Sequence, residues 1–497
     1  ENGTRPISVR WIDGTKGDEK QPKYRSRLVA REINRGTDDN PFAATPPLEA
    51  KKFLFSRATS TMGSEEHGKL KLSFVDVARA YFNAPVRRRV YVQLPEEDVQ
   101  AKGGKEPMCG RLNYSMYGTR DAAQNWELEV ASRMTKLGFT RGISSGCMYR
   151  HEEKGISTVI HGDDFTSLGQ DASLNWFERE LSKAWEITIR GRLGPREHDD
   201  KEIRILNRVV RWDSEGITYE PDQRHAEIVI KEMGLNTANP VKTPGTKEEN
   251  KEEQDESEEE LDGQEARKFR AIAARCNYLA LDRPDIQYAA KECSRVMAKP
   301  RKKDWMRVKR LTRYLIAAPR VVHKYPYQRA PQYLNVYADS DFAGCRTTRK
   351  STTGGAIMHG QHLLKSWSTN QTVVALSSGE AEYYSVAKAA GMGLGMKALC
   401  KDMGVEVQVQ VFTDSSAARG IAMRRGLGRI RHMEVCYLWI QEKLAEGKLK
   451  LHKMSGTENP SDLLTKHLAR DIMEKHMQKL GLQRKEGRSE LAPELIA

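Results

Sequence analysis

Apolar positions along the chain switch between a strand period and a helix period, and the switches sketch the architecture. LSFVDVARAYF (72–82) is an apolar run that reads as a strand entering a turn and a helix. Residues 121–137 carry Ala122, Trp126, Val130 and Leu137 at helical spacing. STVIHGDDFTSLG (157–169) holds two short β-type runs around Gly-Asp-Asp, which predicts a hairpin. Residues 222–234 pattern as an amphipathic helix, and 265–281 and 284–298 as two more. Further on, YLNVYADSD (333–341) predicts a strand and SSGEAEYYSVAKAAGMG (377–393) a helix. VEVQVQVFTD (405–414) alternates strictly, as a half-buried strand does. LKLH (449–452) predicts a short strand, followed by a helix near NPSDLLTKHL (459–468). Interleaving of this kind predicts α/β layers. Gly391, Gly393 and Gly395 form a GxGxG with no strand before it, so it marks helix termination or close packing rather than a nucleotide loop.

The chain has 497 residues, long enough for about three domains. Its net charge of +14 is unevenly distributed. Residues 247–262 hold ten acids and two lysines, which leaves +22 on the remainder. Such an acidic run cannot bury enough apolar surface to fold, so 243–264 is expected to be a disordered linker. The basic remainder favours a polyanionic partner, most simply nucleic acid, over a membrane. Basic and aromatic residues share 300–320 (Arg301, Lys302, Lys303, Trp305, Arg307, Lys309, Arg310, Arg313, Tyr314, Arg320), a pattern suited to a phosphate backbone. No apolar run reaches membrane-spanning length, and the first residues lack an apolar signal core, which argues against secretion. The absence of an initiator Met suggests a segment of a longer polyprotein. Seven scattered cysteines with no CxxC pair fit buried reduced thiols inside a cell.

Two groups of acids stand at strand ends or helix starts. Asp163 and Asp164 are adjacent in a turn, where two ionised carboxylates repel unless a cation neutralises them, and hard oxygen ligands suit Mg²⁺. Asp76, from another strand, would complete a two-metal clamp for displacement at phosphorus. The second group is Asp339 on a strand, Glu382 on a helix, Asp414 at the end of an alternating strand and Asp462 at a late helix start. Four acids converging at one sheet edge bind two Mg²⁺ and activate water against a phosphodiester.

FVDVARAYF (74–82), YGTRDAAQNW (117–126) and HGDDF (161–165), in that order, resemble motifs A, B and C of reverse transcriptases, specifically those of copia-type LTR retrotransposons. KYRSRLVARE (23–32) and FAATPPLEA (42–50) resemble upstream segments of that family, and CNYLALDRPDIQYA (276–289) a downstream one. ADSDFAG (338–344), RKSTTGG (349–355), ALSSGEAEYY (375–384) and NPSDLLTK (459–466) resemble its ribonuclease H region. The resemblance implies an α/β and α+β multidomain chain, a right-hand polymerase (fingers, palm, thumb) followed by a ribonuclease H-like α/β domain. It implies fingers and palm at 1–190, a thumb-like region at 191–242, a helical connection at 265–332, the nuclease at 333–470 and a tail at 471–497. Asp76, Asp163 and Asp164 become the polymerase metal ligands, and Asp339, Glu382, Asp414 and Asp462 those of the nuclease. Tyr81 occupies the gate position that excludes a ribose 2′-OH. Arg27, assisted by Lys23, would grip the incoming triphosphate, and Gly118 with Trp126 would help position the template.

The implied cofactor is Mg²⁺, two per site, with Mn²⁺ as an alternative. The implied partners are RNA template, DNA primer, RNA–DNA hybrid and dNTPs, with integrase and the Gag particle from the same polyprotein, in a cytoplasmic virus-like particle or the nucleus. The sequence departs from the family at Thr119, Arg120, Asp121 and Ala123 in motif B, at His161-Gly162 before the motif C acids, and at Arg79. Asp341 reads as a supporting or surface acid, and His452 as a strand-end histidine with product release as the alternative. The competing function is a decayed or domesticated element that binds nucleic acid without polymerising.

Overall fold

The computed structural model describes residues 5–16, 23–33, 42–61, 69–98, 108–246 and 259–495; the side chains of Thr15, Lys16, Lys23 and Thr61 lie outside the described set. Most of the acidic run, 247–258, also lies outside it. The chain forms two compact units. The first comprises 1–51, 69–192 and 402–404, and the second 52–68, 193–401 and 405–497.

The first unit is built on a six-stranded sheet. Its order is Ile187–Leu193, Leu70–Val77, Asp164–Gln170, Ile156–His161, Met148–His151 and Thr140–Arg141. Leu70–Val77 is buried along most of its length, Lys71 and Ser73 included. The helix Ala122–Lys136 sets Trp126, Val130 and Met134 on one stripe, packed with Phe139, Tyr149, Ile160, Phe165 and Trp185. The predicted hairpin is present, with Gly162 at φ 63° in its turn. The helix expected after the first strand is a single 3₁₀ turn, Ala80–Asn83. Arg79 precedes it in the left-handed region at φ 53°, a conformation that ends the strand and cannot continue a helix. Two further antiparallel ribbons, Val9–Lys16 with Lys23–Ala30 and Tyr91–Gln93 with Cys109–Arg111, complete the unit.

The second unit contains two five-stranded sheets. One runs His362–Asn370, Thr352–His359, Tyr333–Ser340, Gln408–Thr413, Leu449–Lys453. The other runs Glu202–Ile205, Arg208–Asp213, Gly216–Glu220, Arg320–Pro326, Leu482–Lys485. The segment expected as a tail thus supplies an edge strand, preceded by the helix Arg470–Lys479. Helices Arg224–Glu232, Gly263–Ala280, Pro284–Arg295 and Asp304–Ala317 share one core around Phe269, Ile272, Leu311 and Leu315. Asp262, inside the expected linker, caps the Gly263–Ala280 helix through the N–H groups of Gln264 and Glu265.

Two local expectations are corrected, and of the two readings of the GxGxG glycines close packing holds. The basic face at 300–320 is not left open to phosphate at its arginines. Arg310 donates to Thr243 and Arg313 to the Asn239 carbonyl, while Tyr314 is buried against Asp285. The helix expected at 459–468 is a short 3₁₀ turn, Pro460–Leu464. The glycines of GxGxG do not end their helix, which runs Ser378–Asp402; Gly393 instead lets the helix approach Val336 and Val409, where a Cβ would sit 2.8–2.9 Å from their methyls.

Buried polar groups tie the second unit together. Asp282 accepts from Arg208 and Tyr219, both at 2.8 Å, and lies 3.4 Å from the Lys52 ammonium. Ser56 Oγ lies 2.8 and 2.9 Å from Nδ1 of His359 and His362, and His362 Nε2 meets the Pro326 carbonyl at 2.7 Å. Burial pushes His359 down to about 4, and His323 and His362 to about 3. These rings fold neutral, whereas in the unfolded chain each takes a proton near its ordinary value. Between about pH 6.5 and 4 the unfolded state therefore binds more protons, and stability falls as pH falls, by about 1.4 kcal/mol per pH unit for each histidine. Urea unfolding at pH 7 and pH 5 is expected to show that loss. The double variant His359→Gln/His362→Gln is expected to flatten the slope, and an unchanged slope would reject the assignment.

Candidate active sites

In the first unit, antiparallel pairing sets Asp76 level with Asp164, and Asp164 level with His161. Val77 N–H donates to the Asp163 carbonyl at 3.0 Å, so both motif acids are fixed by backbone rather than by side-chain chance. The Asp76 carboxylate lies 3.0 Å from Arg190. Burial raises the Asp164 pKa, opposed by Lys51 and reinforced by Asp163 and Asp76. Trp126 donates its indole N–H to the Gly162 carbonyl at 2.8 Å, pinning the hairpin to the helix below. A cavity of about 180 Å³ opens beside it, lined by Tyr81, Ala123, Trp126, Val130, Ile160 and His161 among others.

The altered motif B is internally partnered. Arg88 donates to Glu32 at 2.6 Å and to Asp121 at 2.9 Å. Arg120 donates to Glu32 through its backbone N–H and its Nε, and Asn125 donates to Asp121. Arg88 holds both carboxyls below their usual range despite burial. Gly118 has φ +88°, and a Cβ there would sit 2.0 Å from the Ala30 carbonyl oxygen. Arg27 lies 5.0 Å from the Tyr117 ring, which is 4.6 Å from Tyr81. Lys23 begins its strand, but its side chain is outside the described set. Arg79 pairs with Glu186 on the surface.

In the second unit, parallel pairing puts Tyr337 opposite Phe412, so Asp339 and Asp414 follow as neighbours at the same strand ends. Glu382, one turn into its helix, accepts from Ser340 N–H at 3.3 Å. One oxygen from each of Asp339, Glu382 and Asp414 lies within 4.8 Å of the others, the only such group among the described residues. Asp339 is 2 % exposed, and Thr465 donates to it. Burial raises the pKa of Asp339, Glu382 and Asp414; Asp339 and Asp414 add to the rise at Glu382. Asp462 stands beside the trio, 2.8 Å from Lys466, which also reaches Asp339 at 3.7 Å. Buried Glu382 Oε2 has no hydrogen-bond partner, so the group fits a hard divalent cation. The Asp76, Asp163 and Asp164 carboxylates are grouped more loosely, yet they offer the same oxygen chemistry.

His452 stacks on Phe412 at 5.2 Å within its strand. A residue the motifs did not flag, His432, meets buried Glu380 at 2.9 Å, and Tyr384 donates to the same carboxylate. Asp341 accepts from Thr352 N–H and braces the loop after the central strand. Only the neighbouring helix reveals the His432 contact, since the two residues are far apart in sequence.

These two acidic sites, each on strands paired in fixed register, belong to a chain whose residues 1–247 match the model of the family described as reverse transcriptase (RNA-dependent DNA polymerase). The chain is a relative of the Pol polyproteins of copia-type transposons. It is 28% identical over 487 residues to the retrovirus-related Pol polyprotein from transposon TNT 1-94 of Nicotiana tabacum, covering 95% of this chain and 35% of that protein. It is 25% identical to the corresponding polyprotein from transposon RE2 of Arabidopsis thaliana, covering 96% and 32%. The chain thus spans about a third of the length of these relatives. Among solved structures, a foamy viral protease-reverse transcriptase in complex with dsDNA aligns with TM-score 0.46 and 11% identity, over 90% of this chain and 79% of that one. No helix among the described residues is long and apolar enough to cross a membrane.

Gly118→Ala is expected to destabilise the first unit by roughly 1–3 kcal/mol, because the added Cβ meets backbone that cannot retreat. The measurement is the urea midpoint; a shift within error would mean that the turn relaxes without loss.

Proposed function

We propose that the chain is an RNA-directed DNA polymerase with ribonuclease H activity on RNA–DNA hybrids. The observation that carries this is the pair of acidic sites on strand ends in two separate units, the first of them within the residues 1–247 that match the reverse transcriptase family. The first unit serves as palm and fingers. Asp76, Asp163 and Asp164 would hold Mg²⁺, Tyr81 gates the sugar and Arg27 receives the triphosphate. In the second unit, the sheet bearing Asp339, Glu382, Asp414 and Asp462 serves as the nuclease. Bound Mg²⁺, or Mn²⁺, would supply positive charge to the pentavalent transition state and lower the pKa of the attacking hydroxyl or water. The protein's part is to keep its carboxylates aimed, which the registers do without reorganisation.

The partners are RNA template, DNA primer, hybrid and dNTPs, together with other parts of a polyprotein, in a particle in the cytoplasm or in the nucleus. The decayed-element alternative predicts nucleic-acid binding alone. Primer extension on an RNA template and cleavage of a labelled hybrid, both with Mg²⁺, decide between them. Asp163→Ala is expected to lower extension by ~10³-fold and to spare folding. Asp414→Asn is expected to abolish hybrid cleavage and to leave extension on short templates nearly intact. Wild-type-like extension by Asp163→Ala would reject the polymerase site.

Proton competition gives a further check. Burial raises the pKa of Asp339 and Glu382, so protons compete with the cation above the ordinary carboxylate range. Mg²⁺ affinity measured by calorimetry on Asp163→Ala protein, which retains only the second site intact, is expected to rise with pH. Affinity independent of pH would show that these carboxyls are already ionised.

A further inference from the structure

We propose that Tyr117 is the specificity-determining brace of the nucleotide site: it fixes the Tyr81 ring and thereby sets the discrimination between deoxyribo- and ribonucleotides. The proposal rests on the polymerase function above and names a residue in that same site.

The need for a brace follows from the local structure of Tyr81. It lies on the four-residue 3₁₀ turn Ala80–Asn83, entered through Arg79 in the left-handed region. The turn is closed by Phe82 N–H to Arg79 carbonyl at 2.9 Å and Ala84 N–H to Tyr81 carbonyl at 3.1 Å. A single 3₁₀ turn has poorer hydrogen-bond geometry than an α-helix and no following turn to restrict its side chains. A gate on such a turn excludes a 2′-hydroxyl only if its ring is held by something else.

Tyr117 is in place to hold it. The two rings are 4.6 Å apart and tilted by 37°, and Phe82 meets Tyr117 edge-on at 5.4 Å. These are attractive aromatic geometries that also fix orientation. The Arg27 guanidinium, 5.0 Å from the Tyr117 ring, adds a cation–π contact. Tyr117 therefore lies in contact with both the gate and the arginine expected at the triphosphate.

The brace is itself anchored by backbone. The Tyr117 carbonyl accepts from Ala30 N–H at 2.8 Å, and the Gly118 carbonyl from Glu32 N–H at 3.3 Å. Gly118 allows this approach because a side chain would strike the Ala30 carbonyl. Glu32 is held in turn by Arg88 and Arg120. Position flows from this anchored turn to Tyr117, and from Tyr117 to Tyr81.

The test is the ratio of kcat/KM for rNTP to that for dNTP in single-nucleotide primer extension by the whole chain. Tyr117→Leu is expected to raise the ratio about tenfold, the upper range of one aromatic contact. Tyr117→Phe keeps the ring and is expected to hold the wild-type ratio. In a Tyr81→Ala background, adding Tyr117→Leu is expected to change the ratio no further, because the gate it braces is gone. If Tyr117→Leu unfolds, Tyr117→Met, unbranched and apolar, serves in its place. A Leu or Met variant that discriminates like wild type, or whose effect persists in full without Tyr81, overturns the proposal while leaving the polymerase function standing. An unaltered chain that extends neither nucleotide rejects that function and the proposal with it.

Discussion

The second site of this chain depends on holding carboxylates close together where water is scarce, and the first on setting half-buried acids level on neighbouring strands. Like charges a few ångströms apart in a medium of low polarisability repel strongly, and each also loses hydration. A side chain free to move would swing away or take a proton. The chain prevents the first by placing the acids where β-sheet registry leaves little freedom. The parallel ladder between Tyr333–Ser340 and Gln408–Thr413 brings Asp339 beside Asp414. The antiparallel ladder between Leu70–Val77 and Asp164–Gln170 brings Asp76 beside Asp164. A one-residue slip in either ladder would turn an acid to the opposite face, so sheet registry is also site geometry.

The two units meet the charge problem differently. In the first, cations stand close by: Arg190 contacts Asp76, and Lys51 opposes the rise in the Asp164 pKa. Its acids are also less crowded. In the second, Lys466 spans Asp462 and Asp339, but Glu382 keeps an oxygen without a partner and its proton affinity rises. The second site is accordingly the more strained electrostatically.

The strands bearing the acids were legible because each is short, strongly patterned and ends in a motif. Asp339, Glu382 and Asp414 are drawn together because strand ends and a helix start meet at one sheet edge, while Asp462, expected with them, stands beside the trio paired with Lys466. Other features could not be read locally. The five-stranded sheet that joins 202–220 with 320–326 and 482–485 depends on pairings over more than 100 residues, and its strands carry charged residues such as Arg208 and Arg211 that obscure the alternation. The basic stretch at 300–320 misled for a related reason. Charge on a helix does not reveal which partner will meet it, and here the 239–243 segment takes Arg310 and Arg313. The 3₁₀ turns at 80–83 and 460–464 resemble helix starts in composition and differ only in how soon the chain turns away.

The motif B substitutions bear on how such a chain retains its geometry. Read alone, Arg120 and Asp121 are foreign charges in a partly buried loop. In the structure each has an opposite charge within hydrogen-bond reach, supplied by Glu32 and Arg88 from two other segments. Random accumulation of charge in a partly buried loop would more often leave an unpaired group, which costs several kcal/mol and disturbs the backbone around it. Here the charges reinforce the same contacts that hold the Tyr117–Gly118 turn against Ala30 and Glu32. The same contacts hold the turn that carries the Tyr117 ring beside Tyr81.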